Sequence, residues 1–308
     1  MLALSAVRAL HFAVAIQIVG ALLFVWIMAR LPETAAVRSV RRSLMRAAVV
    51  LAVAVLASGA AWIALQAADM TGHTLNEVWG DGAVGLLLFK THAGVVWWAR
   101  FAIALALLVS LCVMASLPHV AGKATVVVGL GLAIANFVSC AWLSHAASDA
   151  GPYASLHLAA QALHMFAVSL WLGGLIPLAM LVVRAMRSPE IGAATAARAS
   201  VSFGNIALVA VGIIVVTGIV TTALVARDLS DLTTGAYARL LAVKLVLFCF
   251  MLALAAMNRL QLVPRLATPN PGPAATRLWW SILGELVLAM MILLVVGLLG
   301  IAPLGADE

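Results

Sequence analysis

Eight times along this chain an apolar stretch of about twenty residues or more recurs with almost no charge in it, and this repetition constrains the fold more than any other feature. At a rise of ~1.5 Å per residue, such a stretch crosses the ~30 Å hydrocarbon layer of a bilayer as one helix. The spans fall near 5–29, 45–68, 95–116, 123–143, 156–182, 203–225, 239–258 and 278–301. With 65% hydrophobic and 9% charged residues, the 308-residue chain has too little polar surface to face water. The expected class is all-α: a polytopic membrane helix bundle of about eight transmembrane helices, a single transmembrane domain over 1–308 whose main partner is the lipid bilayer. The apolar run within 75–89 is too short to cross and predicts a short interfacial helix before the third span.

The first run, Ala9 to Ala29, is too long for a signal-peptide core and lacks a small-residue cleavage site, so it is expected to stay as helix one. A net charge of +7 would suggest a nucleic-acid partner in a soluble chain, but here the placement of the charges argues against one. Of the 18 Lys and Arg, 12 fall in alternate loops: Arg30, Arg38, Arg41, Arg42, Arg46, Lys123, Arg184, Arg187, Arg198, Arg259, Arg265 and Arg277. The opposite side holds Arg8, Lys90, Arg227 and Arg239, with Arg100 and Lys244 a turn or so inside helices and expected to snorkel outward. The positive-inside rule then puts both termini in the periplasm of a bacterial inner membrane. Eight carboxylates share that outer side (Asp69, Glu77, Asp81, Asp149, Asp228, Asp231, Asp307 and Glu308), against Glu33 and Glu190 inside, a distribution that draws in cations.

Histidine follows the same asymmetry. His73, His92, His145 and His157 lie at or near the outer surface, His11 and His164 lie in the outer halves of spans one and five, and His119 alone is on the cytoplasmic side. Imidazole suits copper, zinc, nickel and haem iron, and an ionisable group within a membrane marks a candidate site. His11 and His164 each sit about seven or eight residues into their spans, roughly 10 Å deep, where they could face one another. His157, Gln161, His164 and Trp171 share one face of the fifth span, and His145 is a short loop away. The candidate metal ligands are therefore His145, His164, His11, His157 and His92, with Met165 as a soft neighbour. Each has a plainer reading as a packed or solvated side chain.

Cys112, Cys140 and Cys249 all fall in apolar runs without paired spacing, which suggests packing residues and no disulfide. There is no zinc-protease or C-x-x-C motif, no phosphate-binding loop and no cytoplasmic segment long enough for a nucleotide-binding domain. No catalytic constellation stands out, so the chain is not expected to be an enzyme, and transport, if that is its function, is not driven by ATP within this chain.

The stretch SHAASDAGPYASLHLAAQALHMFAVSLWLGGLIPL, Ser144 to Leu178, resembles the centre of the CopD/PcoD family of bacterial copper-resistance inner-membrane proteins, through His145, His164, Trp171, Gly173 and Gly174. RALHF at Arg8 to Phe12 is similar to the family's first helix, the segment from Tyr237 to its Y-G-R-L-L-x-x-K...N-R...P element with Lys244 and Asn258, and the last span to its final helix, where Glu285 matches a buried acid. Ala238 replaces a usual glycine. The family core would cover about 140–302.

The resemblance implies copper homeostasis, with copper ions moved from periplasm towards cytoplasm and a separate periplasmic CopC-like copper-binding protein as partner. In this scheme His145, His164 and His11 hold copper in the outer half, and Glu285, Trp171, Lys244 and Asn258 support passage or structure. Two rivals come from other classes: a membrane b-type cytochrome with haem on an outer histidine pair, ranked below copper, and a non-transporting docking or sensor protein for a periplasmic copper chaperone.

Overall fold

The computed structural model describes residues 2–117, 122–148, 151–187, 192–226, 233–268 and 270–299. His119 falls outside them. The described residues form α1 (Leu2–Met28), α2 (Ala35–Thr71), α3 (Leu75–Gly80), α4 (Ala83–Lys90), α5 (His92–Ser116), α6 (Lys123–Val138), α7 (His145–Ser148), α8 (Ala154–Arg187), α9 (Gly192–Val225), α10 (Gly235–Met257), α11 (Val263–Arg265) and α12 (Gly272–Leu299). A 3-10 turn, Ser139–Leu143, extends α6, and a π turn, Asn258–Leu262, joins α10 to α11. Eight helices are long and apolar enough to cross a membrane: α1, α2, α5, α6 with its 3-10 turn, α8, α9, α10 continued through α11, and α12. The all-α, eight-span reading holds, and the apolar faces turned outward, such as Val209, Val216, Phe250 and Val287, suit lipid as solvent.

Two boundaries differ from expectation. The loop between spans one and two is mostly helix, because α2 begins at Ala35 and runs for 37 residues, ~55 Å, well beyond the hydrocarbon. Thr34 caps it by accepting from the Val37 N–H at 3.1 Å, and an Ala- and Arg-rich first part favours helix in water. Arg38, Arg41, Arg42 and Arg46 therefore ride on a helix extension, as does Arg198 on α9, which begins at Gly192.

The expected single interfacial helix is two, α3 and α4. They break at Asp81 and Gly82, where Gly82 takes φ 77°, a left-handed conformation that favours glycine. The Thr74 amide and hydroxyl hold the Glu77 carboxyl below the usual carboxylate range. The Ala83 amide, and after it the His73 ring, do the same for Asp81.

The central pair is α1 and α8, which run parallel and touch at Gly20 and Gly173. A Cβ on Gly20 would lie 1.7 Å from the Gly173 carbonyl oxygen, and one on Gly173 2.4 Å from that of Ile16, so only glycine allows this approach. Around the pair stand two sets of four long helices. In the first, α1, α2, α5 and α6 pack in a closed ring, α2 against α5 and α6 back against α1. In the second, α8 packs with α9 and with α12, and α12 with α10, but α10 lies only loosely against α9. One ring is shut and the other is left open on one side.

Candidate metal centre

His164 lies ten residues into α8, beside α9. Its Nδ1 is 2.9 Å from the Thr217 hydroxyl, which itself donates to the Ile213 carbonyl at 2.6 Å. Since the hydroxyl proton is committed to Ile213, the oxygen must accept, and His164 carries its proton on Nδ1. That leaves Nε2 with its lone pair, while the ring also lies against the Ile214 carbonyl. A neighbour that fixes the tautomer through one ring nitrogen and leaves the other as a ligand is the arrangement metal-binding histidines use. Gly218 lies beside the ring, where a Cβ would make an ordinary contact with Cε1 at 3.9 Å. The charge of Lys244, on α10, reaches this ring.

His11 is built the same way and then closed. Its Nδ1 is 2.9 Å from the Ser58 hydroxyl, which donates to the Ala54 carbonyl at 2.7 Å, so Nδ1 again carries the proton. Its Nε2 is 2.7 Å from a terminal nitrogen of Arg100, a group that only donates. Both ring nitrogens are thus taken. Arg100 also donates to the Asn136 carbonyl at 2.9 Å and the Ser139 hydroxyl at 2.8 Å, while the Asn136 amide returns a bond to the Arg100 carbonyl at 3.0 Å. Trp62 and Trp97 wall the site edge-on. The expectation that Arg100 snorkels outward is corrected: it is 2% exposed and turns inward, because three acceptors meet it there.

His11 and His164 bond to different helices, so the structure does not bring them together as a pair. His145 opens α7, which packs on α8, and its side chain lies outside the described residues. His157 is buried on α8 and already partnered, which corrects its placement among surface groups. His92 is exposed at the start of α5, behind its cap Thr91. Met165 is buried in the core, and as the residue after His164 it points about 100° round the helix from it. Among the described residues no three or more His, Cys, Asp or Glu side chains converge as a metal cluster.

At the opposite end of the bundle, Asn258 donates to the buried Glu285 carboxyl across α10 and α12. Arg259 instead donates to Asn205 at 3.0 Å. Trp171 is buried with its ring 6.0 Å from Phe248, while a Cβ on Gly174 would overlap the Phe203 ring at 2.0 Å. The W-x-G-G segment is therefore packing machinery that seats α1 and α9 on α8. Thr217, Ser58 and Asn136 were not singled out from sequence. The signal available was a hydroxyl residue followed by glycine, Ser58-Gly59 and Thr217-Gly218, in two otherwise apolar spans.

With this geometry in view, residues 1–156 match the family described as copper resistance protein D-like, N-terminal domain, and residues 197–299 match copper resistance protein D. The chain belongs to the copper resistance protein D family. It is 28% identical over 184 residues to copper resistance protein D of Pseudomonas syringae pv. tomato, covering 58% of this chain and 57% of that one. It is 36% identical over 97 residues to the copper transport protein CutJ of Bacillus subtilis, covering 31% of this chain and 17% of that protein. The inner membrane protein YebZ of Escherichia coli is 26% identical over 216 residues, 69% of each chain. The chain thus spans just over half of the Pseudomonas protein and under a fifth of CutJ. No solved structure matches it.

Proposed function

We propose that this protein serves copper homeostasis as a multi-pass inner-membrane protein that passes copper ions from the periplasm towards the cytoplasm, with His164 as the ligand that receives them in the outer half of the bundle. The observation that carries this reading is the His164 tautomer: Thr217 holds Nδ1 and leaves the Nε2 lone pair open, which suits a borderline or soft cation. Family membership and a relative named as a copper transport protein support the choice of copper. His145, placed by its backbone on the α7 turn against α8, is the nearest further candidate. Asn258 and Glu285 form the polar station of the opposite half.

The orientation supporting this places both termini and the histidine-rich end in the periplasm, where a separate CopC-like protein would deliver the ion. An inside-negative potential then favours entry by ~2.3 kcal/mol per charge per 100 mV, so import needs no pump. The test is copper stoichiometry of purified His164→Ala, with helical circular dichroism as the folding control. Loss of most bound copper is expected. Full retention in a folded variant would overturn the assignment of His164.

A further inference from the structure

The two histidines sit in copies of one structural unit. Each ends the tripeptide Ala-Leu-His, at Ala9–His11 and Ala162–His164, and each is followed nine residues later by the glycine of the central crossing, Gly20 and Gly173. Each Nδ1 meets, at 2.9 Å, a hydroxyl on the next long helix, Ser58 or Thr217. That hydroxyl bonds back to the carbonyl four residues earlier, Ala54 or Ile213. The residue after it is glycine in both, and a Cβ there would stand 3.6 Å from Cε1 of His11 or 3.9 Å from Cε1 of His164. Correspondence in sequence step, partner, tautomer and approach distance is what an internal repeat of four long helices produces.

Both rings have a basic side chain near them, and the copies differ in its contact: the charge of Lys244 reaches the His164 ring with no hydrogen bond between them among the described residues, whereas a guanidinium is bonded to Nε2 of His11. That guanidinium belongs to Arg100, and the other groups around it are the Asn136 carbonyl and the Ser139 hydroxyl. The imidazole nitrogen is a donor that copper uses, while the carbonyl and hydroxyl oxygens are harder donors that any cation can accept. Buried Cys140 lies within reach of Arg100 as well. No carboxylate among the described residues pairs with Arg100, so this fixed charge is held by cation-accepting groups alone.

We infer that the first half holds a second copper-type site, a repeat of the His164 site, in which Arg100 is a tethered cation that occupies the metal's place and keeps His11 out of ion binding. The choice of copper rests on the proposed function. The occupation of His11 by Arg100 does not. The first half is then the fixed copy against which the second works.

The experiment titrates copper(I) under reducing conditions into the purified full-length protein and three variants, with 15N-histidine NMR of the same samples. Arg100→Gln keeps an amide donor for the Asn136 carbonyl and removes the charge from Nε2. It should bind one more copper per chain than the unaltered protein. Arg100→Gln with His164→Ala should keep that extra copper, and Arg100→Gln with His11→Ala should lose it. An Arg100→Gln protein that folds and gains no copper overturns the inference, as does a gain that survives His11→Ala. A failure of His164 to bind copper in the unaltered protein overturns the proposed function and leaves the occupation of His11 by Arg100 to be decided by the His164→Ala, Arg100→Gln protein, which still reads the His11 site. Should Arg100→Gln not fold, the unaltered protein decides: the His11 resonances should stay in the Nδ1–H tautomer and not move with copper, and a copper-dependent shift would overturn the inference.

Discussion

The four-helix half around His11 and the half around His164 start from the same parts and end in different states. In the first, α2 closes on α5 and a buried guanidinium ties α1, α5 and α6 into one network. In the second, α10 stands away from α9, and the corresponding imidazole nitrogen is left with its lone pair. A polar group in a membrane bundle can serve cohesion by having all its bonds made inside the protein, or serve a ligand by having one withheld. In this chain His11 has both ring nitrogens bonded inside the protein, and the proposed role of His164 is the second of these.

The largest effect is expected where the halves share an axis. Gly173→Leu would drive a side chain into the backbone of Ile16 and Gly20, at the top of the ~1–3 kcal/mol range for overpacking or beyond it. Both halves should fail together, seen as loss of monodisperse protein on size exclusion and a collapsed thermal transition. A variant in which one half keeps its protease resistance would break the idea of a common spine.

Next comes a crossed pair of substitutions. His11→Ala removes an acceptor from a buried guanidinium and should cost about 1–3 kcal/mol of stability, while copper stoichiometry stays unchanged. His164→Ala should do the reverse, with most copper lost and the thermal midpoint nearly unmoved. Finding the two columns exchanged would reverse the assignment of which half is structural. A finer version uses the hydroxyls: Thr217→Val should weaken copper binding by about 10- to 100-fold by releasing the tautomer, whereas Ser58→Ala should lower stability by about 1 kcal/mol and leave copper affinity alone.

Much of this was legible in the sequence because lipid leaves so few options. Eight apolar runs fix eight helices, and the outer bias of histidine points to one end of the bundle. The sites themselves were less legible, for a physical reason. Arg100 reads as a snorkelling residue when only its own helix is considered, and it turns inward because His11, Asn136 and Ser139 arrive from α1, α6 and the turn after it. Ser58 and Thr217 are ordinary small residues of apolar helices until the histidine of a distant span is placed beside them. Gly173 and Gly174 could be picked out as a motif, but whether they serve packing or chemistry depends on what lies opposite, here Gly20 and Phe203. Chain position shows periodicity along one helix and is blind to the neighbour across it.

The smallest expected effect concerns the link that helps close the first half. Between α2 and α5 the chain forms α3, which packs on α2, and α4, which packs on both, and this link is held by Glu77 on the Thr74 amide and by Asp81 on the Ala83 amide with His73 beside it. Both carboxyls are held below their ordinary range, so their contribution is fully present above the unfolded carboxylate value and is lost as pH falls through the lowered folded one. Acidification into that window should therefore loosen residues 75–90 selectively. Amide hydrogen exchange should speed up there while the helical bodies of α9 and α10 keep their rates. His73 adds to the effect only with an ionised Asp81, so Asp81→Asn should make exchange in 75–90 faster at neutral pH and remove most of its pH dependence, leaving the share due to Glu77. An unchanged pH profile in that variant would mean that Asp81 does not hold the link and that its pH dependence comes from Glu77 on the Thr74 amide.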